Sequence, residues 1–327
     1  MAMGGLDPRR SIAENYRVWG REAHGRSPAY ESLAASVADD DLVLGFLATL
    51  PQPKRQPNLL FAAARYLLGA PPRIGTLRTL IRRNEADLAQ VMLARLTQTN
   101  EPARCATLLP ALARLPEPLA LIEVGASAGL TLLFDRYTYD YGGHHLIAGS
   151  DPDAPTLRCA VRGPVPLPAR LPAIAWRAGL DLNPLDVARD DDVRWLSCLV
   201  WPGEGDREER LAAALASARR DPPPVYRGDL LADLPALAAQ APDGATLVIF
   251  HSAVLAYVAP QDRDRFARTV RGLAAVWLSN EAPGVVPGLP HAGFREGTFV
   301  LGHGGRTPLA FADGHGTWLQ WLDGAGG

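Results

Sequence analysis

Five residues in the middle of the chain, Gly125-Ala-Ser127-Ala-Gly129, carry its densest chemical signal. They follow Leu119-Ala-Leu-Ile-Glu-Val124, a short apolar run expected of a buried parallel strand. They lead into Leu130 to Phe134, which reads as an apolar helical start. Strand, glycine turn and helix allow two chemistries. In one, G-x-S-x-G is a nucleophile elbow and Ser127 attacks a carbonyl. In the other, the glycines let a ligand approach the backbone at the carboxyl end of a first strand. A plain tight turn is the third reading. Context favours the ligand turn. An elbow should follow several strands and an oxyanion loop, whereas the residues upstream read only as helices. The run His303-Gly-Gly305 lies far downstream. Glu123 adds a carboxylate able to hold a cationic or hydroxyl-bearing ligand through charge-assisted hydrogen bonds.

Other chemistry-bearing residues fall at expected element ends. His251 follows Leu247-Val-Ile-Phe250, so a neutral imidazole is expected at the end of a buried strand, able to accept a proton. Glu281 follows Trp277-Leu-Ser-Asn280 and could bind a cationic substrate. Asn100-Glu101-Pro-Ala-Arg104 reads as a helix start, with Asn100 capping and Glu101 and Arg104 paired at helical spacing. Its functional alternative is a knot that closes over the glycine turn and touches ligand. Tyr137, Tyr139 and Tyr141 alternate, either lining a flap or forming one packed strand face. His315 reads as part of a surface turn. His144 and His145 are adjacent, and with no H-E-x-x-H motif no metal site is expected.

Positioning these residues requires two kinds of texture. Up to about Pro116 the pattern is helical: Ser11 to Glu22, Tyr30 to Val37, Asp41 to Leu50, Asn58 to Leu68, Thr76 to Arg83, Glu85 to Leu96 and Pro102 to Leu115. After Pro118, strand candidates alternate with helical runs. The strands are Ala173 to Leu180, Val225 to Gly228, Thr246 to Phe250, Ala275 to Leu278, Thr298 to Leu301 and Thr317 to Trp321. The helices are Asp192 to Leu199, Arg207 to Ala218, Leu231 to Ala239 and Asp262 to Leu273. Alternation of this kind argues for a parallel sheet covered on both faces. No helix separates the final two strands, which are expected to pair antiparallel at the sheet edge. Tyr137 to Arg170 fits neither texture and reads as an inserted hairpin or flap.

Composition bounds the function. The 327 residues are 47% hydrophobic with a net charge of −2, so no electrostatic pull toward nucleic acid or anionic membrane is expected. Cys105, Cys159 and Cys198 are widely spaced, which fits a reducing cytoplasm better than a disulfide framework. No stretch approaches the roughly 20 apolar residues of a spanning helix.

Glu123-Val-Gly125-x-Ser127-x-Gly129 resembles motif I of class I S-adenosylmethionine-dependent methyltransferases. A longer string resembles a bacterial family, domain of unknown function 2332. It comprises Thr99-Asn100-Glu101-x-x-Arg104, Glu123 to Leu130, Asp135-Arg-Tyr137, Gly179-Leu-Asp-Leu-Asn-Pro184, Trp195-Leu196, Trp201-Pro202, His251-Ser252, Tyr257 and His315-Gly316. The resemblance implies an α/β fold: a Rossmann-like, methyltransferase-type, mostly parallel sheet with an antiparallel edge strand, preceded by an N-terminal helical region. The expected division is 1–116 and 117–327, with an insertion at about 137–170. It further implies S-adenosylmethionine as cofactor. Glu123, Gly125, Ser127 and Gly129 would cradle its methionine part, Asp181 and Asn183 the ribose, and Asp229 and Leu230 the adenine. His251 would be the catalytic base. Asn100, Glu101, Arg104, Ser252, Tyr257 and Glu281 would face a small-molecule substrate. Two features depart from the pattern: Ser127 replaces the usual middle glycine, and Asp181 comes late because of the insertion. The expected function is methyl transfer to a small molecule. Serine hydrolysis at Ser127, or a non-catalytic regulatory or interaction protein retaining the fold, are the alternatives.

Overall fold

The computed structural model of the chain describes residues 8–98, 100–142, 146–290 and 297–322; His144 and His145 lie outside them. The chain forms two compact units, Met1–Thr99 with Arg189–Glu209, and Asn100–Ala188 with Arg210–Gly327.

The first unit is helical: α1 (Pro8–Ala23), α2 (Pro28–Ala38), α3 (Asp41–Thr49), α4 (Pro57–Leu68), α5 (Ile74–Ala94) and, from the later segment, α7 (Asp190–Leu199). Local chemistry sets its boundaries. Proline opens α2 and α4, where a missing N–H costs nothing. The Asp40 carboxylate accepts from the Val43 N–H at 3.0 Å and starts α3. Gly69, at φ +74°, closes α4. The break expected between Arg83 and Glu85 is a kink at Asn84 inside α5 (φ −138°, ψ 40°). The core is a cluster of rings from Tyr16, Trp19, Tyr30, Phe61 and Trp201, with centroids 4.7 to 6.2 Å apart. Arg95 binds Asp191 and Asp192, and Trp195 donates to the Leu96 carbonyl at 3.0 Å, holding α7 in place.

The second unit holds α6 (Arg104–Leu112), most of α8 (Gly205–Arg220), α9 (Leu234–Ala238), α10 (Pro260–Gly272) and every strand. Five strands run parallel: β1 (Leu119–Val124), β6 (Ile174–Asp181), β7 (Val225–Arg227), β8 (Thr246–Ser252) and β9 (Val276–Glu281). A meander of β10 (Thr298–His303), β11 (Thr307–Asp313) and β12 (Trp318–Trp321) continues the sheet antiparallel. The strand β5 (Ala160–Arg162) closes the far edge, parallel to β12. The order is β5-β12-β11-β10-β9-β8-β1-β6-β7. A smaller sheet is built from β3 (Leu146–Ile147), β2 (Thr138–Asp140) and β4 (Thr156–Arg158).

The architecture is a mixed α/β one with N-terminal helices and a large, mostly parallel sheet. Three expectations are corrected. The antiparallel part is a three-strand meander, and the edge strand comes from the insertion. The insertion forms strands of both sheets, and its tyrosines form a packed face: the hydroxyls of Tyr137, Tyr139 and Tyr141 donate to the carbonyls of Leu130, Phe134 and Ala106 at 2.7 to 2.8 Å. No α-helix follows the glycine turn, only a single 3₁₀ turn at Leu130–Leu132. The carbonyls that a helix would need are taken by distant side chains. Leu130 O accepts from Tyr137, Thr131 O from Cys105, Leu132 O from Arg177 and Phe134 O from Tyr139.

Alternation along the strands separates two faces. Ile122, Val124, Leu180, Ile249 and Trp277 pack with Phe266 and Val270 of α10 on one. Register places Glu123 with Phe250 and Leu278 on the other, where Phe134 meets Phe250 edge-on at 5.7 Å.

Candidate functional site

From β1 the chain moves to β6 and β7 on one side, then returns to β8 and β9 on the other. Open α/β sheets bind ligands at such a switch point, beyond the carboxyl ends of the strands. The two positive-φ residues other than glycine among those described flank it: Ser127 (φ 53°) after β1 and Ala253 (φ 57°) after β8. Such conformations are costly and cluster at functional sites.

The glycine turn is tied down on all sides. Gly125 N–H donates to Leu180 O at 2.8 Å and Gly129 N–H to Ala126 O at 2.7 Å. Asp181, at the carboxyl end of β6, accepts from the N–H groups of Ser127 (2.8 Å) and Asn183 (2.7 Å). A Cβ on Gly125 would lie 2.4 Å from Val254 Cγ2, and one on Gly129 would lie 2.8 Å from Pro223 Cγ. The missing side chains are therefore required by the protein's own packing.

The Asn100–Arg104 knot does close over this turn. Asn100 Oδ1 accepts from Ala128 N–H at 3.3 Å; it caps no helix, since α6 starts at Arg104. Arg104 donates to Gly314 O (2.9 Å) and Ser252 O (3.1 Å), and Glu101 pairs with Arg210 at 2.7 Å.

Glu123 is buried, and one carboxylate oxygen accepts from the Thr131 hydroxyl. Burial pushes its carboxyl up to about 8, with a smaller push from Asp181, opposed by Thr131 and Arg104. It is therefore mainly a neutral acid at pH 7. Its other oxygen, Oε2, is buried without a partner. So are Ser127 Oγ, Asn100 Nδ2, Ser279 Oγ, Asn280 Oδ1 and Glu281 Oε2. Each such group costs about 1–3 kcal/mol when unsatisfied; Glu123 and Asn280 lie on one face of the sheet, Ser279 and Glu281 on the other.

His251 behaves differently from expectation. Trp277 Nε1–H donates to its Nε2 at 3.0 Å, so Nε2 must be the acceptor, and Nδ1–H faces Glu281 Oε1 at 2.7 Å. The ring is fully buried with both nitrogens engaged, which removes it as a proton acceptor for substrate. The same Glu281 oxygen accepts from Val254 N–H (2.8 Å) and Leu255 N–H (3.1 Å). Trp277, His251 and Glu281 thus form a buried chain that holds the strained loop after β8, and Val254 of that loop fills the space at Gly125. The hydrolase alternative suffers from the same arrangement, since Ser127 Oγ has no hydrogen-bonded base.

Other expected contacts divide. The Asp229 carboxylate accepts from the N–H groups of Leu231 (2.8 Å) and Ala232 (3.0 Å), which is turn chemistry, and Leu230 packs against the core. Tyr257 is 76% exposed in a 3₁₀ turn. Ser252 joins the site through Asn280, whose Nδ2 donates to its Oγ at 2.9 Å. Sequence reasoning missed Asn280, Thr131 and Ala253. Asn280 could have been found as the polar residue beside Glu281 on the opposite face of the same strand end. Nothing in the sequence marks Ala253.

The N-terminal helices and the large, mostly parallel sheet define a mixed α/β protein, with the candidate site at the carboxyl ends of its central strands. The chain matches, over residues 13–321, the family described as an uncharacterized protein conserved in bacteria (DUF2332), and it belongs to that family. No match is found among curated proteins or among solved structures. No helix among the described residues is long and apolar enough to cross a membrane.

Proposed function

We propose that the switch-point crevice binds S-adenosylmethionine and that the protein transfers its methyl group to a small molecule. The observation that carries this reading is that Glu123 Oε2, Ser127 Oγ and Asn100 Nδ2 are buried without partners around the turn after β1, whose Ser127 N–H is held by Asp181 at the end of β6 and whose Ala128 N–H is held by Asn100. The donor set fits the cofactor. Glu123, Ser127 and Asn100 suit a polar amino-acid end, and the Asp181 carboxylate suits a ribose diol. The filled spaces at Gly125 and Gly129 restrict the approach to the side-chain rim of the turn. When bound, the cofactor supplies an electrophilic methyl group.

The chain's own residues position the reactants and exclude water; in-line methyl transfer draws much of its acceleration from positioning. His251 contributes by fixing the 253–255 loop. Calorimetric titration with S-adenosylmethionine and S-adenosylhomocysteine tests the reading, with binding expected for both and weakened about tenfold by Asp181→Ala. Absence of heat and of any thermal shift at millimolar ligand would remove it and leave a non-catalytic role for the fold.

A further inference from the structure

Ser252, the last residue of β8, and Asn280, the last but one of β9, stand in direct register on neighbouring parallel strands, on the face that carries Glu123. Both are buried, Ser252 at 7% exposure and Asn280 at 0%. Their backbones are pinned: Ser252 O takes Arg104 Nη1 at 3.1 Å, and Asn280 O takes Ala253 N–H at 3.1 Å. Their side chains bond to each other at 2.9 Å through Asn280 Nδ2 and Ser252 Oγ, which leaves Asn280 Oδ1 buried without a partner. The serine hydroxyl, having accepted from the amide, still has a proton to donate. Whichever way the amide is turned, hydroxyl and amide together present one donor and one acceptor side by side. A rigid pair of this kind matches a group that carries the same two functions in one plane.

We propose that Ser252 and Asn280 form a subsite, separate from the glycine turn, that takes the planar amide edge of a small molecule: one N–H and one carbonyl oxygen. The N–H seats on Asn280 and the carbonyl oxygen on Ser252. Glu123, two residues deeper on the adjoining strand, borders the subsite on the β1 side. In the reading above this molecule is the methyl acceptor, so the proposal names the acceptor's class. It rests on the crevice being a ligand site and not on which cofactor fills it. Two sources carry such an edge, a primary carboxamide and a cyclic imide or nucleobase.

The test is saturation-transfer NMR on the full-length protein with four probes at millimolar concentration. Nicotinamide and uracil carry the edge; N,N-dimethylnicotinamide and 1,3-dimethyluracil lack its N–H. At least one unmethylated probe is expected to bind about tenfold more tightly than its methylated counterpart, the loss expected when one buried hydrogen bond is removed. Which one binds identifies the source. The preference should disappear in Ser252→Ala, which keeps the backbone carbonyl used by Arg104, and in Asn280→Leu if that variant folds. Equal binding of methylated and unmethylated probes, no binding by any of the four, or a preference that survives Ser252→Ala overturns the proposal. Because no cofactor enters this measurement, failure to bind S-adenosylmethionine would show separately.

Discussion

Glu123 and Glu281 both lie buried at the carboxyl ends of central strands, yet the two faces of the sheet use them in opposite ways. On one face, Glu281 Oε1 gathers the ring N–H of His251 and the backbone N–H groups of Val254 and Leu255. On the other, Glu123 Oε1 takes a single hydroxyl from Thr131, and Glu123 shares its surroundings with Ser127, Ser252 and Asn280. The first carboxylate is the anchor of a loop. The second is a buried acid with little to anchor. Glu281 Oε1 is saturated by the scaffold while its Oε2 is left without a partner, so the two carboxylates differ in what their first oxygen holds, three N–H groups against one hydroxyl.

The sharpest way to break this contrast is to titrate stability. The Glu123 carboxyl is raised from 4.5 to about 8 in the folded state. Between those values the folded chain holds a proton that the unfolded chain has released, so stability falls as pH rises through that window and levels off above it. The loss is about 5 kcal/mol over the whole window at roughly 1.4 kcal/mol per pH unit, and about 4 kcal/mol of it falls between pH 5 and pH 8. Glu123→Gln keeps a neutral acceptor for Thr131 and cannot ionise. Denaturant unfolding at pH 5 and pH 8 should therefore show the variant gaining on the wild type by about 4 kcal/mol. Parallel pH profiles for the two proteins would mean that Glu123 is not a neutral acid and that the two faces do not differ in this way.

The anchoring face gives the next largest effect. His251→Ala removes the acceptor of Trp277 Nε1–H and a donor to Glu281, leaving buried groups unmade, at a cost of about 3 kcal/mol. The loss should be local in character. Amide exchange at Val254 and Leu255 should accelerate more than exchange in β1 or β6. Uniform acceleration across the sheet would show that the chain of side chains holds no particular loop.

Much of the fold could be read in advance, because buried parallel strands announce themselves as apolar runs between breaks. Five such runs became β1, β6, β7, β8 and β9. β11 escaped because Pro308 lies inside it, and proline argues against a strand; the structure accommodates it beside a register shift at Leu301/Gly302. The missing helix after Gly129 escaped because its carbonyls are claimed by Tyr137, Tyr139, Cys105 and Arg177, contacts that exist only once the chain has folded. At the site, the position of Asp181 at the end of β6 was legible, since strand ends are local signals; the cap and the Glu101–Arg104 pair expected at the Asn100–Arg104 knot were not, because α6 starts only at Arg104 and Glu101 pairs with Arg210. The role of His251 was not. Its position at a strand end was correct, but the occupation of its nitrogens depends on Trp277 and Glu281 of the next strand.

The smallest expected effect asks whether the strain at the switch point belongs to the scaffold or to the guest. Ser127 holds φ 53° with a buried hydroxyl that bonds to nothing in the protein. A left-handed conformation costs a non-glycine residue about 1–2 kcal/mol, and a glycine close to none. Ser127→Gly forfeits no hydrogen bond within the protein and relieves that cost, so it should raise stability by about 1 kcal/mol after allowing for glycine's greater freedom in the unfolded chain. The gain should be accompanied by weaker binding of S-adenosylmethionine in the calorimeter. Higher stability with unchanged affinity would assign the serine no part in recognition. Lower stability would mean that its hydroxyl completes the scaffold after all, which would move Ser127 from the side of Glu123 to the side of Glu281.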